Sequence, residues 1–448
     1  MHNASAIKKS LFNQPVFTAV YAAIVVFLTY GTVYAFRKPF TVATFDGLTF
    51  LGIHYKVCLI ITQLIGYVAS KFYGIKFIAE LKNVGRWKLL LILICISWIS
   101  LFFFAIVPAP YNIIFLFFNG FPLGITWGIV FSYIEGRKAT DFIGAALAVS
   151  FIFSSGFVKS VAKYVQLQWY VTEFWLPFVT GLIFILPLLL FVFLIEKIPA
   201  PTISDIALRS ERKPINKSER NNLIKQFFPG ILMLIFLYVL LTIFRDMRDN
   251  FAADIWIELG FGNKAAVFTQ TEIPVTLIVL VLMASLVFIK NNFTAFLVAH
   301  IFIAVGFILR GVASWFFSIQ IIDPATWMIL VGIGLYMAYI PFNCMLYDRL
   351  IATFNIKGNT GFLMYCSDSF GYLGSALVLL SKEIFHIRLN WVSFFSNGII
   401  VCSMVGVMGT LFSVLYFLNK HKKNSTIWNH EQPSSSEQVL PALQLQEP

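Results

Sequence analysis

Residues 16–40 read VFTAVYAAIVVFLTYGTVYAFRKPF, in which twenty-one uncharged residues run straight into Arg37 and Lys38. An apolar stretch of about 20 residues spans the hydrocarbon core as a helix, because a helix satisfies its own backbone polar groups. A charge at that depth costs roughly 2.5–3.5 kcal/mol on insertion scales and is kept for a purpose. Arg37 therefore stands either at the membrane boundary or inside a polar cavity within it. The segment is too long for the core of a cleavable leader and has no small-residue cleavage site.

The same pattern recurs along the chain. Of 448 residues, 59% are hydrophobic and only 12% charged, too few charges to cover a water-exposed surface. Apolar stretches at 16–38, 55–79, 87–107, 111–135, 141–165, 174–196, 226–250, 264–289, 293–317, 325–348, 359–381 and 392–418 predict twelve spanning helices. The polar, Pro- and Ser-containing segment 197–225 follows six of them and precedes six. This predicts an all-α membrane protein with a six-helix bundle over 1–196, a basic linker over 197–225, a second bundle over 226–418 and a disordered tail over 419–448. Such a plan suits a transporter built from two repeats related by an axis along the membrane normal.

The net charge of +12 is distributed as a topology signal. Lys8 and Lys9, the segment from Lys76 to Lys88, Arg137 and Lys138, the 197–225 linker and Lys420 to Lys423 all fall on one side. Few cations, Lys38 and Lys56 among them, fall on the other. The positive-inside rule then places both termini in the cytoplasm of a multi-pass protein of the plasma (inner) membrane. The lipid bilayer, rather than nucleic acid, is the partner this basicity implies. Cys58, Cys95, Cys344, Cys366 and Cys402 lie in or beside apolar spans as small packing residues, and the six histidines are scattered, so no metal or other cofactor is expected. No Ser/His/Asp set, HExxH motif or paired catalytic carboxylates point to an enzyme.

Charged residues within the spans include Arg37, Lys71, Lys159, Arg245, Arg248, Glu272, Arg310 and Asp368. Asp246 and Asp249 stand ready as partners for Arg245 and Arg248. Tyr30, Tyr34 and Arg37 are spaced i, i+4, i+7 and share a helix face, and Tyr67 and Lys71 repeat the arrangement in GYVASK. A face of tyrosine hydroxyls ending in a fixed cation makes poor lipid-facing surface and suits a cavity that holds a polar anion. Guanidinium offers a planar fork to phosphate or carboxylate, and ammonium an adaptable point charge. Aligning Phe36-Arg37 with Phe244-Arg245 sets Tyr30 opposite Tyr238, a faint internal repeat.

These motifs resemble the organophosphate:inorganic-phosphate antiporters of the major facilitator superfamily, which include the glycerol-3-phosphate and hexose-phosphate transporters. YGTVYAFRKPF is similar to that family's first helix, GYVASKF to its second, GIGLYMAYIP to its tenth and GNTGFLMYCSDSFGYLGS to its eleventh. The resemblance implies the major facilitator fold, acting as a monomer, and exchange of a small phosphorylated metabolite for inorganic phosphate by alternating access. It further implies Arg37 as the phosphate-binding arginine, Arg245 or Arg248 as its counterpart in the second half, and Lys71, Tyr30, Tyr34, Tyr67, Tyr336 and Tyr372 as cavity residues. The fifth helix departs from the pattern: Phe153 and Ser154 stand where the family carries a histidine, with Lys159 just beyond. Two other readings stay open. One is a proton-coupled carboxylate or sugar-acid transporter using Lys159, Glu272 or Asp368 for coupling or salt bridging, and the other a non-transporting ligand sensor.

Overall fold

The structure, a computed structural model, describes residues 15–79, 85–134, 137, 139–201, 217–286, 288–354, 360–385 and 390–431. The first half contains α1 (Pro15–Val33), α2 (Tyr55–Ala79), α3 (Arg86–Ile106), α4 (Ile114–Ser132), α5 (Thr140–Gln168) and α6 (Leu176–Ile195). The second contains α7 (Lys217–Asn250), α8 (Ala252–Glu258), α9 (Val267–Leu286), α10 (Asn292–Ser318), α11 (Pro324–Cys344), α12 (Leu346–Thr353), α13 (Thr360–Ile384) and α14 (Trp391–Glu431). Eleven of these helices are long and apolar enough to cross a membrane. The twelfth long helix, α2, has 25 residues. The chain is a multi-pass, all-α membrane protein.

Several boundaries depart from the sequence expectation, each for a local reason. The first span stops at Val33, tightens into a 3-10 turn over Tyr34–Phe36 and breaks at Arg37. Pro39, which cannot donate to the preceding turn, opens a second 3-10 turn over Pro39–Val42. Helix α7 begins within the expected linker and bends at Phe227, just before Pro229. The expected tail at 419–448 is helical as far as Glu431, and the rest lies outside the described residues, as does 202–216 of the linker. A hairpin pairs Thr49–Phe50 with Ile53–His54 between α1 and α2. Its two-residue loop, Leu51 and Gly52, has φ of 53° and 77°, as a type I′ turn requires.

Within the first half α2 and α3 pack on α4, and α1 packs on α5 and α6. Within the second, α10 packs on α11 and α14, and α13 on α7. The halves meet where α5 lies against α9 and α11, and where α2 lies against α13. Bilayer-embedded helices gain no water-driven attraction for each other, so close approach of small residues supplies the contact. The sequence stripe Gly120–Gly124 does this at α2: a Cβ on Gly120 would sit 2.2 Å from the Gln63 carbonyl oxygen. Gly306 and Gly334 bring α10 and α11 together, each within 2.6 Å of the other's carbonyl when given a Cβ. Side chains such as Leu186, Val281 and Met408 point outward and exposed, as lipid-facing surface should. Because backbone cannot yield as a side chain can, Gly120→Val should lower the thermal unfolding midpoint of the detergent-purified protein, by the equivalent of about 1–3 kcal/mol for overpacking.

Candidate anion-binding cavity

A cavity of about 310 Å³ lies between the halves, and Arg37, Tyr67 and Lys71 of the first half face Arg245, Tyr336 and Tyr372 of the second across it. Arg37 is placed there by the early end of α1. The N–H groups of Arg37 and Lys38 both donate to the Tyr34 carbonyl, at 3.0 and 2.9 Å, which turns the chain out of the helix. Two carbonyls left without helical partners are met by buried side-chain amides. Asn119 Nδ2 donates to the Phe36 oxygen at 2.9 Å, and Gln63 Nε2 to the Arg37 oxygen at 3.1 Å. The two amides also bond each other at 2.7 Å, so α2 and α4 hold the turn jointly.

The turn brings both Arg37 and Lys38 to the cavity wall but gives them different surroundings. Lys38, counted from the sequence among the loop cations, is buried instead. It pairs with Asp249 and donates to Asn250 Oδ1 at 2.8 Å, both at the end of α7. Lys159 of α5 reaches the same Asp249 at 2.5 Å, and Ser155 donates to it as well. Nearby, Lys56 pairs with Asp254 of α8 at 2.6 Å and donates to the Thr41 carbonyl at 2.8 Å. These contacts tie the halves where α1 and α7 end. From there the cavity wall continues to Thr140 and Gly361, near the opposite ends of α5 and α13.

The RDMRDN segment, residues 245–250, divides its charges differently from the sequence expectation. Arg245 keeps Asp246, with Nη2 at 2.6 Å from Oδ1, and donates to the Tyr339 hydroxyl. Arg248 does not take Asp249. It turns into the second half, to Glu272 at 2.6 Å and the Met328 carbonyl at 3.1 Å, and is not among the residues lining the cavity. The second oxygen of Glu272 is buried without a hydrogen-bond partner. Arg310 lies elsewhere, fully buried among α10, α14 and α7, with its guanidinium 4.3 Å from the Phe307 ring and 3.0 Å from Cys402 Sγ.

Three cations converge on one pair of rings. The rings of Tyr67 and Tyr372, from opposite halves, meet edge-on at 5.7 Å. Arg37 lies 4.2 Å from the Tyr67 ring, Arg245 lies 5.4 Å from the Tyr372 ring, and Lys71 lies 5.1 Å from both. Lys71 pairs with Asp368 of α13, which also accepts from Tyr238. The Tyr238 and Tyr339 hydroxyls are 2.8 Å apart, so Tyr238, aligned with Tyr30 in sequence, serves the network and not the cavity wall. Among the described residues the Arg37 guanidinium has no acidic partner and no hydrogen-bond acceptor, and its Nε is buried. The hydroxyls of Tyr30, Tyr34, Tyr67, Tyr336 and Tyr372 likewise make no hydrogen bond to protein among the described residues. The cavity thus presents one uncompensated guanidinium amid free hydroxyl donors.

Sequence reasoning missed Gln63, Asn119 and Tyr339, and it misplaced Lys38. Gln63 and Asn119 did leave a signal, as amides inside otherwise apolar spans.

The chain belongs to DUF5690, a family of unknown function, whose profile matches residues 39–420. No curated protein matches its sequence. In structure it is similar to the nucleoside transporter NupG, at 14% identity and a TM-score of 0.58 over 89% of this chain and 99% of that one. It is also similar to a D-xylose-proton symporter, at 16% identity and a TM-score of 0.56 over 89% and 97% of the two chains. A bacterial homologue of the human drug peptide transporters PepT1 and PepT2 aligns at 13% identity with a TM-score of 0.58 over 91% of this chain and 99% of that one. At such identities the likeness establishes the fold, that of the major facilitator superfamily.

Asp249 pairs with two lysines of the opposite half, and removing one member of a buried ion pair costs about 3–5 kcal/mol. Asp249→Asn should therefore loosen the closed side. Spin labels at Tyr170 and Asn263 should report a broader and longer distance distribution than in the wild-type background.

Proposed function

We propose that this member of the family is a secondary transporter. It carries a small phosphorylated metabolite and exchanges it for inorganic phosphate by alternating access of its two halves. The observation that carries this reading is the Arg37 guanidinium, which reaches the cavity with no protein acceptor among the described residues and is surrounded by tyrosine hydroxyls free to donate. Arginine stays protonated at any physiological pH, so a buried arginine without a counter-charge makes a standing site for an anion. Arg245 and Lys71 extend the positive field across the seam and share the Tyr67–Tyr372 ring pair with Arg37. Arg248, held by Glu272 away from the cavity, is the weaker candidate for the second anion ligand.

A solute bound here touches both halves, so its contacts differ between their two arrangements, and only such differential contact can shift the equilibrium. The ion pairs of Lys38 and Lys159 with Asp249 close one side, and the wall runs on towards the ends of α5 and α13. With the termini in the cytoplasm, as the positive-inside rule assigns them, this arrangement is the inward-facing form. The likeness in fold to proteins described as nucleoside, sugar and peptide transporters supports transport over sensing.

Carboxylate transport is favoured by one specific observation. Of the three cations around the paired rings, Arg37 alone lacks an acidic partner among the described residues, which matches a single negative charge.

Proteoliposomes preloaded with phosphate should exchange labelled phosphate. A lost charge-assisted hydrogen bond is worth about 1.5–3 kcal/mol, so Arg37→Met should slow exchange roughly ten- to a hundredfold while leaving the unfolding midpoint near that of wild type. Wild-type exchange in that variant defeats the reading. Uptake of carboxylates with no phosphate flux selects the carboxylate reading, and ligand binding without any flux selects a sensor.

A further inference from the structure

We infer that the solute carries a flat ring, and that its ring and anionic group occupy different levels of the cavity; this rests on the anion-binding reading above. The argument starts from α4. Gly124, Trp127, Gly128 and Phe131 all line the cavity at i, i+3, i+4 and i+7, so one face of that helix is turned to the solute. Gly124 lies level with the anion pole, since a Cβ there would stand 2.7 Å from the Tyr67 carbonyl oxygen, and the Tyr67 ring carries Arg37. Helix α4 begins beside the closed side, where Asn112 just before it bonds Tyr55 at the start of α2, and it runs away from that side. At 1.5 Å of rise per residue, Trp127 and Phe131 stand roughly 5 and 10 Å further along, towards the other end.

There the wall changes character. The rings of Trp127 and Phe131 stack at 5.0 Å with 12° between planes, and they form a ledge rather than two isolated contacts. Beside it α5 presents Gly144, where an added Cβ would meet only Phe131 at 3.8 Å, an ordinary contact distance. Phe151, packed edge-on to Tyr336 of the other half at 5.7 Å, also lines the cavity. The indole N–H of Trp127 meets no protein acceptor among the described residues, so it too is available to a solute. Inorganic phosphate at Arg37 leaves this ledge untouched. An organic anion whose ring lies roughly 5–10 Å from its charged group fills both levels at once.

The test is titration calorimetry on the full-length detergent-purified protein with inorganic phosphate, propyl phosphate and 2-phenylethyl phosphate. The expected result is that 2-phenylethyl phosphate binds about tenfold more tightly than propyl phosphate, as ring-on-ring contact provides. That ratio should fall to about one in Trp127→Leu and stay within about threefold of wild type in Trp127→Phe, which keeps a ring and controls for folding. Equal affinity for the two esters in the wild type overturns the inference while leaving the anion site standing, as does a preference that survives Trp127→Leu. Failure of all three phosphates to bind overturns the inference together with the phosphate reading beneath it.

Discussion

A cation inside a bundle that spans a bilayer needs an acceptor within reach, and Asp249 is the acceptor around which the two halves close. It comes from α7, yet it serves Lys38 and Lys159, both from the other half. Both lysines are buried, so parting the halves on this side leaves their charges without a partner. The pairing adds to the hydrogen bonds by which Thr269 of α9 meets Ser160 of α5 along the same seam. Glu272 and Asp368 discharge the same duty for Arg248 and Lys71. Of the three cations gathered on the Tyr67–Tyr372 rings, Arg37 is the one with no acidic partner among the described residues.

That Arg37 stays unpaired is a product of backbone geometry as much as of composition. Two adjacent cations at a helix end are driven to opposite fates by one turn. The 3-10 tightening over Tyr34–Phe36 and the Pro39 that follows bring Lys38 to Asp249 and leave Arg37 facing the cavity unpaired among the described residues. Ending a helix inside a membrane strands carbonyl groups, which costs several kcal/mol each in a medium without water. Asn119 and Gln63 remove that cost, and they are themselves satisfied by Ser97 and by each other. Arg37 is therefore positioned by two uncharged amides on neighbouring helices.

The tyrosines give the cavity its chemical character. Tyr238 and Tyr339 spend their hydroxyls on Asp368, Arg245 and each other, and so become structural. Tyr67 and Tyr372 instead offer their rings to three cations while their hydroxyls remain free. A cation over an aromatic face is stabilised without its charge being neutralised. The positive field persists at the seam, and the aromatic ledge of α4 begins one turn further along.

Periodicity and composition by themselves determined an all-α chain of many long apolar helices and the presence of cations at membrane depth, because each is a property of a segment against its solvent. They also placed Tyr30, Tyr34 and Arg37 on one face, since that depends only on helical spacing. Tertiary structure alone decided which acid serves which base. Asp249 lies next to Arg248 in sequence, yet it pairs with Lys38 and Lys159, distant by more than two hundred and by ninety residues. It alone divided Tyr30 from its sequence counterpart Tyr238, and set Trp127 on a cavity wall rather than in a core. Ion pairing in a medium of low dielectric is won by proximity in space, and no local pattern along the chain encodes which distant helix arrives first.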